Sequence, residues 1–339
     1  MSGAFPDLVR LFDSLPAPAR DVGLGRFCAQ PVPGFPACAV GKDTSGHPAL
    51  LIQADNAQPG TPAPLALEHL SVIHLVSCRV QGPDDGDLER TLSVLRCTEG
   101  DRAFHEFFLR SLHPVIASLP SSPSRQQITD AIERLIDLFR KITETPRKTV
   151  AGLWAELFVI ASAADPSALL ACWHSAPEEK FDFVRGIERI EVKAACGGLR
   201  VHHFSLEQLR PPAGAQVLVA SVMLERAEGG SSMADLIDAI RQRVSDPELL
   251  IRLDIVVAHA IGQDWRSIQR PSFDRQLATA SLRFLDASGI PSVPVPLPPE
   301  VSEVRFRVDL TSHDLPLPAQ LIERSHLFRA ALPAHSQRP

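Results

Sequence analysis

The 339-residue chain contains no tyrosine, so no site in it draws on a phenolic hydroxyl. Its six cysteines, Cys28, Cys38, Cys78, Cys97, Cys172 and Cys196, include no C-x-x-C pair. That spacing suggests neither a zinc site nor a disulfide framework and fits a reducing compartment. The longest apolar-rich stretch, LSVIHLVSCRV, is interrupted by polar residues and too short to span a bilayer. The N-terminal MSGAFPDLVRLFDSLP carries two acidic residues and no apolar segment of signal-peptide length. A soluble, cytoplasmic protein without membrane contact is the expectation. No G-x-x-x-x-G-K-[ST] occurs, so ATP hydrolysis by this chain is not expected. GGSSM (229–233) reads as a turn before a helix and lacks the flanks of a hydrolase elbow. There is no internal repeat. Net charge is −6, so binding to a nucleic acid would need a local basic surface.

What is present is an ordinary globular composition, 45% hydrophobic and 22% charged, with 30 prolines. Residues 1–100 read as β-rich: a short helix from Pro6 to Leu15, then RFCAQ, ACAV, ALLIQ, LEHLSVIHLVSCRV and RTLSVLRC as strands, with QGPDDGD as a loop. His47 and His74 stand isolated in the sequence and read as structural. Residues 101–148 read as a helical connector with apolar stripes through Phe104, Phe107, Phe108 and Leu112, and through Ile128, Ile132, Leu135, Ile136, Phe139 and Ile142. Residues 149–330 read as the core domain, and 331–339 as a flexible tail.

The most informative stretch is KFDFVRGIERIEVKAACGGLRVHHF, Lys180 to Phe204. KFDFV and IERIEVKA alternate with period two around Arg185-Gly186, which predicts a hairpin. Glu191 and Lys193 are two apart and share one face, while Ile190 and Val192 share the other. Asp182 lies on the first strand, far enough before Glu191 for the chain to turn and return beside it. Two carboxylates and an ammonium on one face suit a divalent ion facing a phosphate. The simpler reading of D-x8-E-x-K is an amphipathic hairpin with a solvated charged face. Upstream, Thr149 can cap VAGLWAELFVIASAA, and Glu156 sits at the edge of that helix's buried face, aimed either at solvent or at something positive.

From Arg140 to Arg210 there are ten Lys/Arg and nine Asp/Glu. Without Asp182, Glu191 and Glu156 the bases outnumber the acids ten to six, against a net charge of −6 for the whole chain. Arg147 and Lys148, with Arg140 and Lys141, are candidates for phosphate contacts, or else form a helix end and solvated linker. His202 and His203 are neighbours on a predicted strand and point to opposite faces; one of them can line a cleft. Further on, AQVLVASVMLER reads as the fourth strand of a central sheet, SSMADLIDAIRQRV as a helix capped by Ser231 or Ser232, and IRLDIVVAHAIG, SLRFLDA and EVRFRVDL as strands.

GLWAEL on a helix, then Trp173, FDF, IEVKA and SLEQL resemble the PD-(D/E)XK phosphodiesterase superfamily, the restriction-endonuclease-like fold. More narrowly they resemble a bacterial family of PD-(D/E)XK proteins whose genes lie in anti-phage and restriction-like clusters. The tight match runs from about Thr149 to Val219. The resemblance implies an α+β protein: a restriction-endonuclease-like core with a mixed central sheet flanked by helices, preceded by the β-rich part and connector. It matches Asp182 to the first acid, although Phe181 precedes it in place of proline. It matches Glu191 and Lys193 to the second half-motif and Glu156 to the helix glutamate. Gln208 corresponds to a helix glutamine of some branches, without that motif's tyrosine. His203, Arg147 and Lys148 would approach the substrate.

The implied chemistry is Mg²⁺-dependent hydrolysis of DNA, with Mn²⁺ able to substitute. Asp182, Glu191, the Val192 carbonyl and Glu156 would be ligands, and Lys193 would steady the water or the developing charge. Partners would be DNA and other proteins of a defence or restriction-like system; a homo-oligomer is compatible with this. The alternatives are a non-catalytic member of the same fold that binds DNA or a partner protein, and an assembly subunit whose β-rich half is the working surface.

Overall fold

The computed structural model describes every residue except 1–5, 19–24, 55–63, 82–87, 143, 174–179, 212–213, 295, 314–316 and 334–339. The loop expected at 82–87 and most of the expected tail therefore lie outside the described residues. The chain divides into two compact units, 1–145 with 250–258, and 146–249 with 259–339. The helices expected as a connector fall in the first unit.

The first unit opens with α1 (Leu8–Asp13), capped by the Asp7 carboxylate. Strands β1 (Arg26–Val32), β2 (Phe35–Asp43), β3 (Pro48–Ile52), β4 (Leu65–Ala66), β5 (Leu70–Gln81) and β6 (Leu88–Cys97) form one sheet in the order β1-β2-β3-β6-β5-β4. β1 also pairs in parallel with β5, Arg26 opposite Arg79, so the sheet closes on itself. Closure pairs the β1 edge, and the remaining edge is the two-residue β4, short as protected edges are. Phe27, Ala29, Ala49, Leu51, Cys78, Leu92 and Val94 pack together as one apolar cluster. Two helices follow, α2 (Arg102–Ser118) with Asp101 at its N-cap and α3 (Arg125–Lys141) with a Ser124–Gln127 capping box. Their predicted apolar stripes are buried.

In the second unit, α4 (Val150–Ser162) begins where the Thr149 hydroxyl accepts the Gly152 N–H at 3.1 Å. After α5 (Pro166–Cys172) come β7 (Phe183–Arg185) and β8 (Glu188–Cys196), an antiparallel hairpin with Phe183 opposite Ile190. Its turn is Gly186-Ile187. Gly186 has φ 56°, a conformation that glycine adopts at the first central position of a hairpin turn without cost. The chain then runs through β9 (Val201–Ser205), α6 (Leu206–Leu209), β10 (Gln216–Leu224), β11 (Arg226–Ser231) and α7 (Met233–Arg241). It continues with α8 (Pro247–Ile261), of which 250–258 count with the first unit, then α9 (Arg275–Ser281), β12 (Arg283–Asp286), β13 (Arg305–Asp309), α10 (Ala319–Glu323) and α11 (His326–Ala331).

The central sheet is mixed, in the order β12-β10-β8-β7, with β8 and β10 parallel from Glu188↔Gln216 to Cys196↔Leu224. β9 and β13 form a separate antiparallel pair. The molecule is thus α+β, with a mixed sheet and helices.

Three expectations need correction. IRLDIVVAHAIG is not a strand but most of α8. Its buried positions Leu253, Val256, Val257, Ala260 and Ile261 recur at helical spacing, which the β-branched residues masked. AQVLVASVMLER supplies the third strand of the central sheet rather than the fourth, because β9 leaves it to pair with β13. Gly197 and Gly198, at φ 92° and 83°, give the backbone the freedom to break away after β8. Finally, Gly229 to Ser231 end β11 instead of forming a turn, with Ser231 bridging to Phe273; Ser232 caps α7 as expected.

Candidate active site

The hairpin register sets Asp182, which lies one residue before β7, opposite Glu191. One Asp182 oxygen, Oδ2, accepts the Val192 N–H at 2.8 Å, which ties the first acid to the strand that carries the second. On β8, Glu191 Oε1 lies 2.7 Å from Lys193 Nζ, as two residues on one strand face can. Lys193 Nζ also donates to Gln208 Oε1 at 3.2 Å and stands 5.2 Å from the centre of the Phe204 ring. Gln208 is held in turn by the Ser205 N–H on its oxygen at 3.1 Å, and its own amide donates to the Lys180 carbonyl at 3.1 Å.

Glu156 arrives from the middle of α4. The ammonium of Lys148 donates to both Glu156 oxygens at 2.6 Å and to Asp182 Oδ1 at 2.7 Å. The Trp173 indole N–H donates to Glu156 Oε2 at 2.8 Å. Lys148 itself is fixed at the backbone, where its N–H and that of Arg147 both meet the Ala260 carbonyl. The charged face is not solvated: Glu156 is 4% exposed and Glu191 6%.

Electrostatics follow from that burial. Loss of hydration, then the nearby charge of Asp182, push the Glu156 carboxyl up to about 8 against the pull of Lys148. The same two causes push Glu191 up to about 8 against Lys193 and Lys148. Burial pulls the Lys148 ammonium down, but Glu156 and Asp182 outweigh it and leave the group above its usual value. In both glutamates burial outweighs the neighbouring ammoniums and favours the protonated carboxyl.

Asp182, Glu191, Lys193, Glu156, Gln208 and Lys148 are thus brought together. His203 is not: it is exposed, in register with Arg307 of β13. Its neighbour His202 is the buried one, 2.7 Å from the Ser221 hydroxyl and pushed down to about 4 by desolvation and the nearby Arg200 and Lys193 charges. Arg147 is exposed. Val192 contributes its N–H, to Asp182. Sequence reasoning gave Lys148 to the substrate; what it missed is that the ammonium grips two of the acids. It also missed the Trp173 bond to Glu156.

Among the described residues, no three carboxylate, imidazole or thiol groups surround one metal position. The donor set nevertheless suits a hard divalent ion. Asp182 and Glu191 offer hard oxygens side by side on the hairpin, and Mg²⁺ commonly takes one or two carboxylates and completes its shell with water. Glu156, with both oxygens on Lys148, is the least available of the three.

An acid before the hairpin, an acid and a lysine two apart on its second strand, and a glutamate from the preceding helix make one constellation. A family model described as "Putative PD-(D/E)XK family member, (DUF4420)" matches residues 10–311. The chain belongs to this family. Superfamily members are generally nucleases, and nucleases of this fold typically use divalent metals. No curated protein and no solved structure matches this PD-(D/E)XK family member. Among its described residues, no helix is long and apolar enough to cross a membrane.

Proposed function

We propose that this family member is a metal-dependent DNA endonuclease acting in a bacterial anti-phage or restriction-like system. The observation that supports it best is the convergence of Asp182, Glu191 and Lys193 at one part-buried point of the hairpin, inside a PD-(D/E)XK family. Asp182 and Glu191, with the Val192 carbonyl, would hold Mg²⁺ or Mn²⁺. When bound, the ion supplies Lewis acidity to a phosphodiester oxygen and acidifies a water.

The chain's own residues do the rest. Lys193, steered by Gln208 and flanked by the Phe204 ring, presents an ammonium where the attacking water is oriented and anionic charge develops. The Val192 N–H fixes the rotamer of Asp182, and burial keeps bulk water from screening these charges. Glu156 and Lys148 act as a paired buttress behind Asp182. Arg147 is assigned to the backbone phosphates, which position the duplex without reading its sequence. The β-rich first unit would meet other proteins of the system.

Purified protein with Mg²⁺ or Mn²⁺ is expected to cut DNA, tested on supercoiled, linear and single-stranded substrates with and without neighbouring gene products. Asp182→Ala and Lys193→Ala should each reduce cutting to background while far-ultraviolet circular dichroism stays unchanged. Their losses should not add, because both serve one transition state. A folded Asp182→Ala protein with full activity would overturn the reading.

A further inference from the structure

We propose that Lys148 limits the site to a single divalent cation by standing where a second would bridge Glu156 and Asp182. The inference rests on the metal-dependent reading above. Two-ion phosphodiesterase sites place their ions about 3.5–4 Å apart, with a carboxylate shared between them. Here the shared position is filled by the protein's own cation. Lys148 Nζ is 2.6 Å from both oxygens of Glu156 and 2.7 Å from Asp182 Oδ1. A divalent ion could reach those oxygens only by displacing an ammonium whose backbone is tethered to the Ala260 carbonyl. The Trp173 indole adds a further donor to Glu156 Oε2 and leaves that carboxylate little free lone-pair capacity.

Charge points the same way. With Asp182, Glu191 and Glu156 ionised, the state that a bound cation favours, and Lys148 and Lys193 protonated, the cluster's own groups sum to one net negative charge. One divalent ion together with one phosphodiester, which brings a single negative charge, makes the assembly neutral. A second ion would leave it with a double positive charge in a buried place, where unpaired charge is costly. Glu191, whose contacts are on the Lys193 side, and Asp182 remain as the pair for the single ion.

The test counts ions without relying on cutting. Metal-free full-length protein is titrated with Mn²⁺, and free Mn²⁺ is read by electron paramagnetic resonance. The wild type should bind one ion per chain, lost in Asp182→Asn. Lys148→Met should bind a second ion, and its first should tighten roughly tenfold or more as a neighbouring positive charge disappears. The second ion should vanish again when Glu156→Gln is added. If Lys148→Met does not fold, Lys148→Gln, which keeps a donor to Glu156 without the charge, carries the same expectation. Two ions in the wild type, one of them sensitive to Glu156→Gln, or a single ion in the lysine variants, would overturn the proposal and leave the nuclease reading standing. No Mn²⁺ bound by the wild type would instead overturn the metal-dependent reading itself.

Discussion

Each unit sets an aspartate among ionisable neighbours, and the two differ in what else shares their counter-charge. In the first unit Asp43, 4% exposed, accepts the Ser45 and His47 N–H groups at 2.8 Å each through one oxygen. It closes the turn between β2 and β3, and around it His47 stacks edge-on to His105 at 5.5 Å. His105 in turn meets the Glu99 carbonyl at 2.6 Å, and burial holds its imidazole below the usual range. One oxygen is thus spent on backbone, as local side-chain bonds in turns are, and the other lies 3.5 Å from the Arg96 guanidinium, with no second acid on it among the described residues. In the second unit Asp182 gives one oxygen to backbone and the other to the Lys148 ammonium, which it shares with Glu156. Its charge raises the proton affinity of the buried Glu156 and Glu191, and the group holds capacity for a cation. An ion pair alone does not mark a working carboxylate; an ammonium shared with further acids does.

The largest effect that sharpens this contrast is on stability. Lys148→Ala strands Glu156 beside Asp182 without its counter-charge and should cost about 3 kcal/mol, measured by urea unfolding. Lys148→Met with Glu156→Gln should recover most of that loss, since the pair leaves together. A Lys148→Ala protein as stable as the wild type would mean that the cluster is solvated.

Next comes pH. The Glu156 and Glu191 carboxyls sit at about 8 in the fold against an ordinary 4.5, so the folded chain binds more protons between those values. Their contribution to stability is therefore complete below about 4.5 and is lost as pH rises through 8. The metal-free melting temperature should fall across that window, and excess Mg²⁺ should flatten the fall. Binding of Mg²⁺ at pH 7 should release protons, detectable by calorimetry in buffers of different ionisation enthalpy. Equal heats in all buffers would show that the acids are already ionised.

The smallest effect belongs to the first unit. Asp43→Ala should cost about 1–2 kcal/mol by the loss of its turn bonds and leave DNA cutting unchanged. Loss of cutting with stability intact would place function in that unit and erase the contrast.

How much of this was legible in the sequence depended on the range of the interaction. The hairpin was readable because its alternation and Gly186 are local signals, and Asp182, Glu191 and Lys193 followed from register. α2, α3, α4 and α7 were readable from apolar periodicity and caps. The grip of Lys148 on Asp182 was not, because 34 residues separate them and the segment around Lys148 has no periodicity to orient it. Closure of the first sheet depends on the β1–β5 pairing, which joins strands far apart in sequence and leaves no local trace. α8 was misread because IVVAHAI satisfies a short apolar strand as well as a buried helix, and only its length decides.

The indole of Trp173 has one more consequence. With no tyrosine in the chain, near-ultraviolet emission comes from Trp154, Trp173 and Trp265, free of the energy transfer that phenols would add. Trp173 has no solvent exposure, its ring lies nearly parallel to Phe183 at 6.4 Å, and its N–H points at Glu156. Any change in the charge on or beside that carboxylate alters the electric field along the indole dipole, and so the colour of its fluorescence. The protein thus carries a built-in optical gauge of its own acidic cluster, readable without a label in the native chain.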